Sequence, residues 1–351
     1  MSNSESVKVA KGQLLDVVRG RLRIGEFSWV WLATIGLFAA SALLAPGSVT
    51  IGSLASMLPF AGILAIVAVG QTLVIQQRGL DMSSAGMVSL AGTIAASVGV
   101  LTNSIIIAVV AALIAAVVLG IVNGILTSKI GISPLVATLA TNAVLIGGVR
   151  STTGNAPISV PESLQAIAHA RVAGVPSNIL LAVMVVAIAW IVMHKTTIGR
   201  RFVAVGINPS AAASAGISLL TYQIGTYVAA ALCFAVGGLL LAGFIGSASH
   251  TAGNDYLMPA IAAVVVGGTP FTGGRGSVIA SAVAALFMTQ LSQLVLALGA
   301  SSAVQLLVQA TAILMATALR NLPALLSRLP AVAMVFRGAS AAPKCVASNP
   351  G

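Results

Sequence analysis

The sequence predicts an all-α fold: a polytopic bundle of about ten membrane-spanning helices, some broken or re-entrant, with both termini on the cytoplasmic side. Three observations carry that expectation. The 351 residues are 58% hydrophobic and only 7% charged, whereas a soluble domain draws about a quarter of its residues from Asp, Glu, Lys and Arg. Apolar stretches of about 20 residues, the length that crosses about 30 Å of hydrocarbon, recur along the chain. The basic residues stand at the ends of those stretches, mostly on one side.

Taken in order, apolar windows bounded by Gly, Pro or charge fall at 28–45, 53–75, 82–100, 104–127, 134–149, 178–194, 219–246, 257–268, 277–298 and 303–319. The first 26 residues are polar and basic without an apolar core, so no cleavable signal peptide is expected and the first span serves as the targeting signal. The eighth window is too short to cross as one straight helix. It is either a broken helix, its irregular backbone shielded by protein, or a segment with wider limits. Gly120-x-x-x-Gly124 offers a small-residue face for close helix contact.

With the N-terminus inside, all 17 Lys and Arg residues except Arg150 and Arg171 lie on the cytoplasmic side. Basic loops resist translocation, so this lopsided split supports both the count of spans and the orientation. Residues 1–27 are then a cytoplasmic segment, 28–319 the transmembrane domain and 320–351 a cytoplasmic tail expected to be disordered. The largest outside loop is 150–177 and the largest inside loop 195–218.

Several function classes are excluded. The net charge of +11 is scattered singly, without the clustering or interleaved aromatics of a nucleic-acid face. Cys233 and Cys345 have no metal-ligand spacing, and His169, His194 and His250 form neither a metal set nor a catalytic triad. The glycine-rich stretch Gly267–Gly276 lacks the Gly-Lys-Ser/Thr ending of a phosphate loop and reads as a turn between spans. Of six acidic residues, only Asp81 and Asp255 stand where a buried carboxylate could work. Both precede helical stretches and suit capping of free first-turn N–H groups. The chain therefore holds few ionisable groups of the kind that proton-driven transport relays through the membrane.

Uncharged polar residues repeat at i, i+4: Thr138 and Asn142, Asn123 and Thr127, Thr289 and Gln293, Gln305 and Gln309. Such pairs share a helix face. They face protein or water, either as interhelical hydrogen bonds that hold the bundle or as a path for a neutral, hydroxyl-rich solute. Asp81, Asn123, Thr138, Asn142 and Gln290 are the candidate pathway residues.

The inside loop carries the sharpest local signal. Thr197–Gly206 (TIGRRFVAVG) precedes a stretch in which Asn208 can cap a helix, Pro209 suits its first position and Gly216 can end it. A short amphipathic helix beside Arg200 and Arg201 on the cytoplasmic face suits docking of a soluble motor.

At this loop the sequence resembles the permease subunits of ATP-binding-cassette sugar importers of the ribose, xylose and galactose type. The residues that carry the resemblance are GQTLVIQQRGLDMSSAGMVSLAG (70–92), VNGILTSKIGISPLVATLAT (122–141), TIGRRFVAVGINPSAAASAGI (197–217) and AGNDYLMPAIAAVVVGGTPFTGGRGSVIAS (252–281). The resemblance implies a homodimer in the bacterial inner membrane, with a pathway at the subunit interface. It also implies a cytoplasmic ATP-binding subunit that carries ATP and Mg²⁺, and a periplasmic sugar-binding protein. The coupling helix of the family maps onto residues 207–216, so Arg200, Arg201, Gly206, Asn208, Pro209, Ala212 and Gly216 are the expected coupling residues. Two features depart from the pattern: Gln77-Arg78 stands where members often have small or neutral residues, and the tail RGASAAPKCVASNPG is unusual. This chain is expected to be no enzyme and to hold no cofactor or metal, because it has no nucleotide loop. The expected function is translocation of a monosaccharide or similar polyol driven by a separate ATPase. The alternative is a gradient-driven secondary transporter or facilitator of a small neutral polar solute.

Overall fold

The computed structural model describes residues 27–315 and Ala318. The expectations for the N-terminal segment before Phe27 and for the tail from Arg320 lie outside the described residues. Each of the ten apolar windows forms a helix. In chain order the helices are α1 (Trp29–Leu44), α2 (Ile51–Gln76), α3 (Ser84–Thr102), α4 (Ile105–Ser128), α5 (Pro134–Thr153), α6 (Glu162–His169), α7 (Ser177–Lys195), α8 (Thr197–Ile207), α9 (Pro209–Ser214), α10 (Leu219–Ile245), α11 (Asn254–Val266), α12 (Val278–Ala297) and α13 (Ser302–Met315). Seven of them (α2, α3, α4, α5, α7, α10 and α12) are long and apolar enough to cross a bilayer, and the chain is a multi-pass membrane protein.

Burial sorts these helices into layers. The apolar window of α2 is 83% buried, against 22% for α4 and 11% for α7. A helix that is apolar all round and buried is core, whereas one that is apolar and exposed offers its face to lipid or to another membrane chain. α2 therefore forms the axis and packs on α7, α10, α11 and α12, while α4 and α7 form part of the rim. The Gly120/Gly124 face is used as expected. A Cβ on Gly120 would come within 2.6 Å of Val228 Cα, and one on Gly124 within 2.7 Å of Ile224 Cα, so α4 and α10 touch backbone to backbone.

Two elements differ from the sequence expectation. The helix from Pro134 runs on to Thr153, past Arg150, and stops at Gly154 in the left-handed region with φ 59°. A basic residue in the last turn complements the helix dipole and does not end the helix. The outside loop 150–177 is folded: α6 buries Leu164 and Ala168, a two-residue ladder pairs β2 (Arg171–Val172) with β3 (Val175–Pro176), and β1 (Ile158–Ser159) pairs with β4 (Ser247–Ala248).

The short eighth segment has limits of its own. α11 holds 13 residues, about 20 Å at 1.5 Å per residue, and so cannot cross alone. The backbone leading into it is held by protein. The Gly253 N–H donates to Ser89 Oγ at 3.0 Å, and that hydroxyl donates to the His250 carbonyl at 3.3 Å. Irregular backbone at membrane depth is stable only when it is shielded and bonded in this way.

Candidate functional site

Side-chain placement separates the candidate residues into three regions. The first is a polar chain at the start of α3. The Thr141 hydroxyl donates to Asn123 Oδ1 at 2.6 Å, Asn123 Nδ2 donates to Ser83 Oγ at 3.0 Å, and Ser83 Oγ donates to Asp81 Oδ1 at 2.5 Å. The Ser83 N–H also donates to that carboxylate at 2.8 Å. Nearby, the Gly86 N–H donates to Asn142 Oδ1 at 2.7 Å, and the Met82 N–H donates to Thr138 Oγ1 at 3.0 Å.

The expectation that Asp81 caps α3 is thereby corrected. Ser83 is the N-cap residue and makes no side-chain cap bond. A first-turn N–H is instead satisfied from α5 by Asn142, which fastens α3 to α5. Asp81 takes the N–H two residues on, in an Asx turn. It is 1% exposed, and burial pushes its carboxyl up from 3.8 to about 6 against the two Ser83 hydrogen bonds. Asp81, Asn123, Thr138 and Asn142 are thus brought together, joined by Thr141. Thr141 could have been found in the sequence at i+3 from Thr138.

Gln290 lies apart. It is fully buried in α12, and neither amide atom has a partner among the described residues; the same holds for Gln71 in α2. Buried amides are nearly always paired.

The second region is a cleft of about 550 Å³ walled by α2, α10, α11, α12 and α13. That volume lies within the ~300–1,000 Å³ typical of small-molecule sites. Its polar lining includes Asn254, Asp255, Thr289, Ser292, Gln305 and Gln309, set against Phe60, Tyr256 and Met288. Gln290 is not part of the lining. The start of α11 and the end of α12 both border the cleft, which lies at the opposite end of α2 from Gln76. Asp255 sits inside the first turn of α11, whose N-cap is Gly253, so the expected cap position is corrected by two residues. There the carboxylate complements the helix dipole. Thr289 and Gln309 belong to the polar pairs seen in the sequence. Asn254, Tyr256 and Ser292 carry no periodic signal and become visible only when five helices meet.

The third region is the loop between α7 and α10, which forms two helices rather than the expected one. α8 is capped by Thr196, whose hydroxyl accepts from the Gly199 N–H at 3.3 Å. α9 is capped by Asn208, which accepts from the Ala211 N–H at 3.1 Å with Pro209 at the first position. Gly216 has φ 76°, a left-handed conformation that glycine adopts at no steric cost, and it ends the turn as expected. Phe202 anchors α8 in a cluster with Val69, Leu73 and Val278. Ala212 and Gly206 are buried, whereas Arg200 and Arg201 are exposed.

The helical bundle thus holds a cleft walled by five helices and, near the other end of α2, an anchored helical elbow. The chain belongs to the family described as branched-chain amino acid transport system / permease component, which it matches over residues 53–317. It is similar to the ribose import permease protein of Escherichia coli, 32% identical over 295 residues that cover 83% of this chain and 92% of that protein. The corresponding protein of Bacillus subtilis is 36% identical over 257 residues, 72% of this chain and 80% of that one. An autoinducer 2 import system permease protein of an Enterobacter species is 33% identical over 240 residues, 66% of this chain and 72% of that one. No solved structure matches the chain. The protein is a multi-pass permease component of the bacterial inner membrane.

Proposed function

We propose that this chain is the permease subunit of an ATP-driven importer that moves a monosaccharide or a similar polyol. The kinship with ribose import permeases across nearly their whole length carries the proposal. The cleft supports a neutral solute over the amino acid of the family description. Its lining holds the Asp255 carboxylate and no Lys, Arg or His among the described residues. The ammonium of an amino acid could pair with Asp255, but its carboxylate would find no cation in the lining. Hydroxyls find amides and hydroxyls that replace water, each unmatched one costing about 1–3 kcal/mol.

In this proposal the solute arrives from a periplasmic sugar-binding protein, and a second copy of the chain completes the pathway. A cytoplasmic ATP-binding subunit with ATP and Mg²⁺ docks on α8 and α9 through Arg200, Arg201 and the segment around Asn208, Pro209 and Ala212. Gln71 and Gln290 are pathway residues whose amides find partners when the helices rearrange. Asp81, Asn123, Thr138 and Asn142 hold α3, α4 and α5 in register along that pathway.

The test is reconstitution of the permease in vesicles with its ATPase and binding protein, scored by uptake of labelled ribose, other monosaccharides and leucine. Sugar uptake that requires hydrolysable ATP is the expected result. Uptake by the permease alone down a gradient, or of leucine in preference to every sugar, would overturn it.

A further inference from the structure

Arg78, one of the two residues that depart from the family pattern, is placed at a junction of three segments. Its backbone has φ 64°, in the left-handed region, which a side chain longer than glycine's occupies at a cost. Its guanidinium reaches the far end of α8, where Nε donates to the Gly206 carbonyl at 3.0 Å and a terminal nitrogen donates to the Ile207 carbonyl. These are last-turn carbonyls without partners inside the helix, at the negative end of its dipole, where a planar cationic fork bonds well.

The neighbouring contacts close the junction. Gln77 Nε2 donates to the Phe202 carbonyl at 2.7 Å, and the Gly274 N–H donates to the Gln76 carbonyl at 2.8 Å. Gly206 lies so near the Gln76 carbonyl that no Cβ fits between them, and Gly274 is pressed against Ile207. The end of α8, the end of α2 and the turn before α12 are therefore one packed body. α2 contributes Phe60 and Leu64 to the cleft, and α12 contributes Met288, Thr289 and Ser292.

We infer that Arg78 is a positioning residue that latches the α8–α9 elbow to α2, so that movement of the elbow is delivered to two helices that wall the cleft. The inference rests on the proposal that the ATPase docks on this elbow. The strained backbone of Arg78 is held by bonds its own side chain makes.

The experiment uses the assembled importer in vesicles and compares Arg78→Gly, Arg78→Lys and Gln77→Ala with the parent. Glycine relieves the backbone strain while removing the latch, so loss of folding does not confound the result. Arg78→Gly is expected to insert and to retain the ATPase. Hydrogen exchange should rise in residues 204–212, and uptake per ATP hydrolysed should fall by about tenfold or more, since two charge-assisted hydrogen bonds are lost. Arg78→Lys, a point charge without the fork, should fall between. Unchanged exchange in 204–212 would overturn the latch, and unchanged uptake per ATP would overturn its role in coupling. Pro209→Asp tests the docking proposal separately by ATPase retention. Retention in that variant would count against docking, whereas the exchange measurement on Arg78→Gly would still decide the latch.

Discussion

The junction at the end of α2 and the cleft walled by five helices are built from opposite kinds of contact. At the junction, backbone meets backbone: the carbonyls of Gln76, Phe202, Gly206 and Ile207 all accept bonds from another segment, and glycine allows approach closer than any Cβ permits. In the cleft, side chains of five helices stand around open volume, and the wall is held by a few local bonds such as Gln309 Nε2 to Ser292 Oγ at 2.9 Å. A close-packed contact transmits displacement because it cannot compress, whereas a wall of rotatable side chains can reshape around a solute. One end of α2 is thus packed to transmit a displacement and the other to accommodate one.

Substitutions that fill the junction sharpen the contrast most. Gly206→Leu should be the most damaging, since its side chain would drive Gln76 and Gly274 apart, and overpacking of this kind costs about 1–3 kcal/mol or more. The check is the thermal midpoint of the purified permease in detergent, which should fall clearly. Asn123→Ala breaks the chain from Thr141 to Ser83 and leaves buried groups unpaired, so about 1–3 kcal/mol of stability should be lost by the same measurement.

Changes in the cleft should reverse the pattern. Gln305→Leu is expected to leave the midpoint within about 0.5 kcal/mol, as for most positions outside a packed core. Sugar uptake in that variant should drop about tenfold, the cost of one unmatched hydroxyl. A fall in stability with uptake intact would break the comparison.

The smallest effect concerns pH. Burial raises the Asp81 carboxyl from 3.8 to about 6, so its contribution to stability is full below the ordinary value and is lost as pH rises through about 6. Asp81→Asn, which mimics the neutral acid, should flatten that part of the midpoint-against-pH curve. A curve that keeps its slope in the variant would assign it to another group.

The elements were legible to different degrees. All ten apolar windows became helices, with ends near those expected among the described residues, because hydrocarbon admits few ways to satisfy a backbone. The caps at Asn208, Pro209 and Gly216 could also be read locally. The split of the loop into α8 and α9 could not, since α8 is fixed by burial of Phe202 against α2 and α12. Likewise the Thr138 and Asn142 pair signalled a polar face without saying that it caps α3.

Composition and local pattern were enough to read a multi-span bundle and the start of a capped helix at Asn208, because those properties follow from transfer into lipid and from bonds between near neighbours. Only the tertiary structure decided which polar residues hold the bundle and which line the cleft. It also decided that Arg78, a departure from pattern in the sequence, closes the junction by binding carbonyls more than a hundred residues away. Hydrogen bonds between distant segments depend on how helices pack, and that packing leaves no period in the chain.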